Sequence, residues 1–203
     1  MCALSGSFSK SKLQELYKLN AYRGEMNFSL STFEKDNDKT RLGIIFQDKG
    51  GLPDYLIQTQ TEAPEKFFLA HSQAPTSGAA NIHPAPYAGA LLWHNGIIKQ
   101  KTLEDGIWDT QYMLSQIIDY GWSSLSRMDG SFACIMYNEG KLYAFRNEIS
   151  PLFVDNELNI SSTKFEGSYP ITPNFVWEFD MEWKMLRNIA HFETFENPYY
   201  MEN

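Results

Sequence analysis

The alternation of apolar and polar positions divides the chain into short runs. Residues 2–8 read as a short apolar strand in which Gly6 permits close backbone approach. SKLQELYKL follows at helical spacing, with Leu13, Leu16 and Tyr17 on one face and Ser11 with Gln14 fitting a capping box. A loop, YRGEMNF, leads towards RLGIIFQ (41–47), a strand pattern, while residues 48–64 are rich in turn formers and carry no clear period. KFFLAH (66–71) predicts another strand, which runs into SQAPTSGAANIHPAPYAG, a long ordered loop of the kind that often carries sites. ALLWH (90–94) predicts a strand ending at the turn pair Asn95-Gly96.

The second half begins with a helix. In DTQYMLSQIIDYG, Met113, Leu114, Ile117 and Ile118 form an apolar stripe, and Asp109 fits a cap. SFACIMYN (131–138) and KLYAFRN (141–147), joined by Glu139-Gly140, predict a hairpin, and LFVDN with LNISS predicts a second. VWEFDMEWKML alternates throughout, with Trp177, Phe179, Met181 and Trp183 facing one way, and so reads as one half-buried strand. Strand runs enclose helices without strict βαβ alternation, which leaves α+β or a layered αββα arrangement as the fold class.

Composition narrows the function. The chain has 203 residues, enough for one domain, and its last dozen residues read as a tail or interaction segment. A net charge of -8 argues against direct nucleic-acid binding, which wants a basic surface. The first twenty residues lack the apolar stretch of a signal peptide and no run approaches a membrane span, so the expected compartment is the cytoplasm, with no membrane partner. Two cysteines and four histidines, without C-x-x-C or H-E-x-x-H spacing, predict no metal, and no glycine-rich phosphate loop predicts a nucleotide; the expected cofactor is none.

MCALSG at the start, YRG at 22–24, LLWHNGI at 91–97, DTQYM at 109–113 and GSFACIMYNEGKLYAFRNEISPL at 130–152 follow one another in an order that resembles the glutaminase domain of class II glutamine amidotransferases, within the N-terminal nucleophile hydrolases. The resemblance covers roughly residues 2–165 and implies a four-layer αββα sandwich of two mainly antiparallel sheets, with the glutaminase-like domain at 1–185 and a C-terminal tail at 186–203. Multidomain members of that family continue into a synthase, transferase or ligase domain. This chain shows no such module, so the resemblance implies ammonia release for a separate acceptor enzyme. In the tail, Phe192, Phe195, Tyr199 and Tyr200 make a docking piece for it.

The resemblance also assigns roles. Cys2 becomes the nucleophile once Met1 is removed, and its own α-amine serves as base; a free thiol titrates at about 8.5 and an α-amine at about 7.7–8.0. Asn95 and Gly96 become the oxyanion donors. Arg23 shapes the pocket beside the thiol, and Asp109 binds the α-ammonium of the substrate. His83, in Asn81-Ile82-His83-Pro84, belongs to the pocket wall, and His94 orders the end of its strand. His71-Ser72-Gln73 departs from the family, many members of which have an arginine at the position of Gln73 to clamp the glutamine carboxylate. Gln73 offers hydrogen bonds without charge, leaving Ser77, Gly78, Ala79 and Ala80 as backbone donors or pointing to an amide other than glutamine. Arg146 and Ser150 have a structural role, and Cys134 is a buried spectator. The expected function is glutaminase-type amide hydrolysis through a cysteine thioester. The alternatives are a hydrolase of a different amide, or an inactive binding or structural protein.

Overall fold

A computed structural model describes residues 2–74, 81–99 and 107–195. In chain order the elements are β1 (Ala3–Ser7), α1 (Lys10–Asn20), β2 (Asn27–Asp36), β3 (Lys39–Lys49), α2 (Asp54–Gln58), β4 (Lys66–Gln73), β5 (Ala85–Tyr87), β6 (Ala90–Ile98), α3 (Asp109–Tyr120), β7 (Gly130–Asn138), β8 (Lys141–Arg146), β9 (Phe153–Val154), β10 (Ile160–Ser161), β11 (Tyr169–Pro170), β12 (Phe175–Asp180) and β13 (Met185–His191). Single 3-10 turns sit at Ala21–Arg23 and Trp122–Arg127. A seven-stranded sheet runs β11-β9-β10-β1-β4-β2-β3, and a six-stranded sheet runs β13-β12-β8-β7-β6-β5. All the pairings between these strands are antiparallel. Helices α1 and α2 cover the first sheet and α3 the second, giving the four-layer αββα sandwich.

Side-chain alternation builds its three apolar layers. On β4, Phe67 and Leu69 enter the core between the sheets, while Phe68 and Ala70 turn outward to meet Leu13 and Tyr17 of α1. On β7, Ala133 and Ile135 face the central core, and Phe132, Cys134 and Met136 pack under Met113, Leu114 and Ile117 of α3. Burying each such Phe or Leu contributes roughly 1.5–3 kcal/mol. Removing one large side chain, as in Leu69→Ala, costs about 2–5 kcal/mol.

Several local expectations change. Helix α1 is capped by Ser9, whose backbone is extended and whose hydroxyl accepts from Lys12 N at 3.4 Å; Ser11 lies inside the first turn. Strand β2 lies in a segment with no strand expectation. The expected turn at Asn95-Gly96 is instead part of β6, which stays paired with β7 as far as Ile98 opposite Gly130. The run from Val176 to Leu186 is two strands. The Asp180 carboxylate accepts from Glu182 N at 3.1 Å and Trp183 N at 2.9 Å, and this turn reverses the chain into β13. Residues 186–191, expected to begin a tail, thus form the edge of the second sheet. Phe192 is buried under α3, Phe195 is exposed, and Tyr199 and Tyr200 lie outside the described residues.

Candidate active site

Strand β1 is the middle strand of its sheet, flanked by β10 and β4. Cys2 stands immediately before it, half-buried and free of any disulfide. The Ala21–Arg23 turn folds back over this strand end because Gly24 follows it at φ 135°, where a Cβ would lie 2.3 Å from the Ala74 Cβ at the end of β4. Only glycine fits that approach. Arg23 then reaches two targets: Nε donates to the Cys2 carbonyl at 2.9 Å, and an Nη donates to Asn95 Oδ1 at 3.4 Å. Burial pushes the Cys2 thiol above its usual range. A backbone hydrogen bond from Ala74 and the charge of Arg23 pull it back, while Asp109 adds to the rise. The thiol is therefore protonated near neutrality, and chemistry at this sulfur needs a base.

Asn95 and Gly96 come from β6 of the second sheet, beyond the stretch that β5 covers. Asn95 is 3% exposed, and its Nδ2 donates to Ser162 Oγ at 3.3 Å. Gly96 sits at φ 152°, and a Cβ there would lie 1.9 Å from the Ser131 carbonyl oxygen. Its ladder partner Phe132 spends both main-chain groups on Asn147, donating to Oδ1 at 3.2 Å and accepting from N at 3.0 Å. The Gly96–Phe132 pair is therefore non-hydrogen-bonded, and the Gly96 N–H points away from β7. On that side β5 covers only Ala90–Leu92, so no strand among the described residues takes this donor. Consecutive residues thus offer a main-chain N–H and a side-chain NH₂, donor types suited to developing negative charge on oxygen.

Asp109 is the first residue of α3. The expectation that it caps the helix is met differently: the residue before the helix is Trp108, and the Asp109 carboxylate accepts from Thr110 N at 2.7 Å and Ile98 N at 3.2 Å. It thereby ties α3 to the end of β6. Its charge reaches Cys2, His94 and Cys134. Thr110 Oγ1 also donates to Asp109 Oδ1 at 3.3 Å, and a carboxylate with four lone-pair sites retains acceptor capacity after three such bonds.

His71, His83 and His94 are all buried, at 0%, 3% and 2% exposure, and form one polar group inside the sandwich. His71 Nε2 lies 3.0 Å from the His94 carbonyl, and its ring stands 4.1 Å from that of His83. His83 Nε2 and His94 Nδ1 meet the same hydroxyl, Thr110 Oγ1, at 3.1 and 3.2 Å. Burial drives the pKa of His71 down to about 3 and that of His83 well below its ordinary value. Burial also lowers that of His94, against the pull of Asp109. His71 and His83 are neutral at pH 7 and support the wall rather than carry charge into it.

Gln73 belongs to this group. It is 5% exposed, its Nε2 donates to the Asn81 carbonyl at 2.9 Å, and its Oε1 faces His83 Nδ1 at 3.3 Å. Because Oε1 only accepts, His83 carries its proton on Nδ1. One donor and one acceptor site of Gln73 are thus committed to the wall. Ser77, Gly78, Ala79 and Ala80 lie outside the described residues, as does Met1.

Of the residues expected from sequence, Cys2, Arg23 and Asn95 meet at one place, Gly96 follows Asn95 in the chain, and Asp109 is within electrostatic reach of Cys2. His71, Gln73, His83 and His94 lie behind it. Arg146 binds the carbonyls of Ile171, Asn147 and Ser150 at 2.6, 3.1 and 3.1 Å, and Cys134 is buried against Met113. Two residues escaped sequence reasoning: Thr110, next to the singled-out Asp109, and Ser162, which has no local signal at all. A surface cleft lined by Tyr169, Pro170, Trp177 and Met185 contains none of these residues. Among the described residues, no group of three or more His, Cys, Asp or Glu is placed to hold a metal ion. None of the described helices is long and apolar enough to cross a membrane.

The protein is thus an αββα sandwich with a thiol at the head of the central strand of one sheet and a donor pair on a facing strand of the other. No protein-family model and no curated protein matches the chain. Solved structures share its fold. Glutamine phosphoribosylpyrophosphate amidotransferase from B. subtilis, complexed with ADP and GMP, is 15% identical with a TM-score of 0.59 over 93% of this chain and 49% of its own. A structure described as the allosteric regulatory enzyme of purine biosynthesis is 14% identical with a TM-score of 0.58 over 93% of this chain and 48% of its own. The chain therefore spans about half the length of each.

Proposed function

We propose that the protein hydrolyses a carboxamide through a thioester on Cys2, releasing ammonia. The observation that carries this reading is the junction at Arg23, which holds the Cys2 main chain and the Asn95 side chain at once. With Met1 removed, the free α-amine of Cys2 takes the thiol proton and sulfur attacks the amide carbon. The carbonyl oxygen becomes an oxyanion held by Asn95 Nδ2–H and Gly96 N–H. The intermediate collapses, the C–N bond breaks, and the ammonium of Cys2 returns its proton to the departing nitrogen. Water, deprotonated by the same amine, then cleaves the thioester to give a carboxylic acid and regenerate the thiol.

The side-chain amide of glutamine is the first substrate to test. Asp109 is the anion for its α-ammonium, and the likeness in fold to a glutamine phosphoribosylpyrophosphate amidotransferase supports the choice. Ammonia protonates in bulk water, so a separate synthase or transferase acting as its acceptor belongs to the proposal. The commitment of Gln73 to Asn81 and His83 favours a second substrate reading, an amide that bears an amine but no free carboxylate. The test is the mass of the intact protein and of its N-terminal peptide, before and after a diazo-ketone analogue of glutamine. Loss of Met1 with one adduct on Cys2 is the expected result. Retained Met1 overturns the amine-as-base mechanism. Loss of Met1 without an adduct sends the substrate search to amides lacking the carboxylate.

A further inference from the structure

Ser162 follows β10 and connects three parts of the molecule that sequence keeps far apart. Its N–H donates to the Leu4 carbonyl at 3.0 Å, and its Oγ accepts from Leu4 N at 2.9 Å. The same Oγ accepts from Asn95 Nδ2 at 3.3 Å. Ser162 is 1% exposed and Asn95 3%, so neither can exchange these partners for bulk water at no cost.

We infer that Ser162 is a positioning residue for Asn95: its oxygen anchors one Nδ2 hydrogen of the carboxamide, in the orientation that Arg23 sets, so that the other faces the reacting carbonyl. This inference rests on the amide-hydrolysis reading above and deepens it.

A carboxamide can rotate by half a turn and exchange its donor and acceptor ends with little change in shape. At Asn95 the neighbour Arg23 forbids the exchange. Arg23 is a pure donor and demands Oδ1. The Ser162 hydroxyl can donate or accept, and in the orientation that Arg23 sets its oxygen accepts from Nδ2 as well as from Leu4 N. The second Nδ2 hydrogen remains for an oxyanion. Arg23 and Ser162 also each bond β1, at Cys2 and Leu4, so the thiol-bearing strand and the donor are held in register from both ends of the amide.

The hydroxyl is itself well anchored. Asn20, from α1, donates through Nδ2 to Ser161 Oγ at 2.9 Å and Ser5 Oγ at 3.0 Å, and accepts at Oδ1 from Thr163 Oγ1 at 2.8 Å. The residues on either side of Ser162 are therefore pinned to the helix layer while Ser162 points towards Asn95. A core serine that only closed a strand would need the Leu4 contacts alone.

The experiment compares wild-type protein with Ser162→Ala and Ser162→Thr. Steady-state hydrolysis of glutamine and glutaminamide is measured, with the alkylation rate of Cys2 by iodoacetamide and the proton exchange of the Asn95 side-chain amide by nitrogen-15 NMR. Ser162→Ala is expected to lower kcat about ten- to a hundredfold, with KM within about twofold and alkylation unchanged. Ser162→Thr, which keeps the oxygen, restores most of the loss. In the wild type one Asn95 Nδ2 proton exchanges slowly, and in Ser162→Ala both exchange fast. Full kcat in Ser162→Ala, or a parallel loss of alkylation showing a merely structural role, overturns the inference. Should both variants fail to fold, the wild-type spectrum decides: two fast-exchanging Asn95 protons overturn it, and one protected proton upholds it. That spectrum needs no substrate, so wild-type protein that hydrolyses neither amide refutes the functional reading while the Ser162–Asn95 bond is still read separately.

Discussion

Arg23 donates from Nε to the main-chain carbonyl of Cys2 at 2.9 Å, which leaves the other nitrogens of the same planar fork to hold Asn95. Lysine carries its three donors on one nitrogen, which lacks the spread of the guanidinium fork needed to serve both. Arg23→Lys is expected to lower kcat for amide hydrolysis about ten- to a hundredfold, because Asn95 loses its acceptor-side restraint. Thermal unfolding should shift little, since the residue is half-exposed. Single-turnover kinetics at saturating substrate checks this, and an unchanged rate would remove Arg23 from the site.

Asn95→Ala removes one of two proposed oxyanion donors. The expected loss in kcat is about a hundred- to a thousandfold, with alkylation of Cys2 preserved. A loss confined to KM would instead mark Asn95 as a ground-state binding group.

Gly96→Ala places a methyl group against the Ser131 carbonyl, with His94 Nε2 2.7 Å away on another side. Strand β6 must shift or detach locally from β7. A destabilisation of about 3 kcal/mol or more is expected, read as a lower urea midpoint at unchanged slope. Stability equal to the wild type would mean that the two strands separate at this point in solution.

Gln73→Arg tests whether charge alone makes a carboxylate clamp. The replacement buries a cation where the wild type has a satisfied amide, and it strips His83 Nδ1–H and the Asn81 carbonyl of their partner. About 3–5 kcal/mol of stability should be lost, with no fall in KM for glutamine. A lower KM for glutamine with intact stability would show that the wall opens towards substrate.

The buried histidines make stability sensitive to acid. The unfolded chain takes up a proton at each near pH 6.5, whereas folded His71 resists until about pH 3. In that window the unfolded state binds more protons, so stability rises with pH and falls as the solution is acidified. The slope is about 1.4 kcal/mol per pH unit for each such histidine. Urea midpoints between pH 4 and 7.5 measure it, and His71→Asn should flatten the curve by one proton.

Much of the fold was legible because its signals are local. The β7–β8 hairpin and the stripe of α3 need only their own residues. Strand β2 was not legible because Ser29 and Ser31 occupy positions facing the interior between the sheets, so a hydrophobicity pattern reads them as solvent-facing. The β12–β13 reversal hid inside an unbroken alternation because its turn is made by one Asp180 carboxylate. At the site, Cys2, Asn95 and Asp109 carry short sequence signals, whereas Ser162 acts across 158 and 67 residues of separation. Nothing near it in the chain announces that. The Asn-Gly pair was misplaced because local turn preference competes with a full ladder of pairing to β7, and the ladder wins.

The central place of β1 between β4 and β10 has a consequence for synthesis. The segment that carries the thiol is made well before β10 and gains its second neighbour only when Ile160 and Ser161 leave the ribosome. At about 5–20 residues per second, that leaves it incomplete for roughly 8–30 seconds. During that interval β1 lacks one of its two neighbours, and the surroundings of Cys2 are complete only once the far end of the sheet has been made.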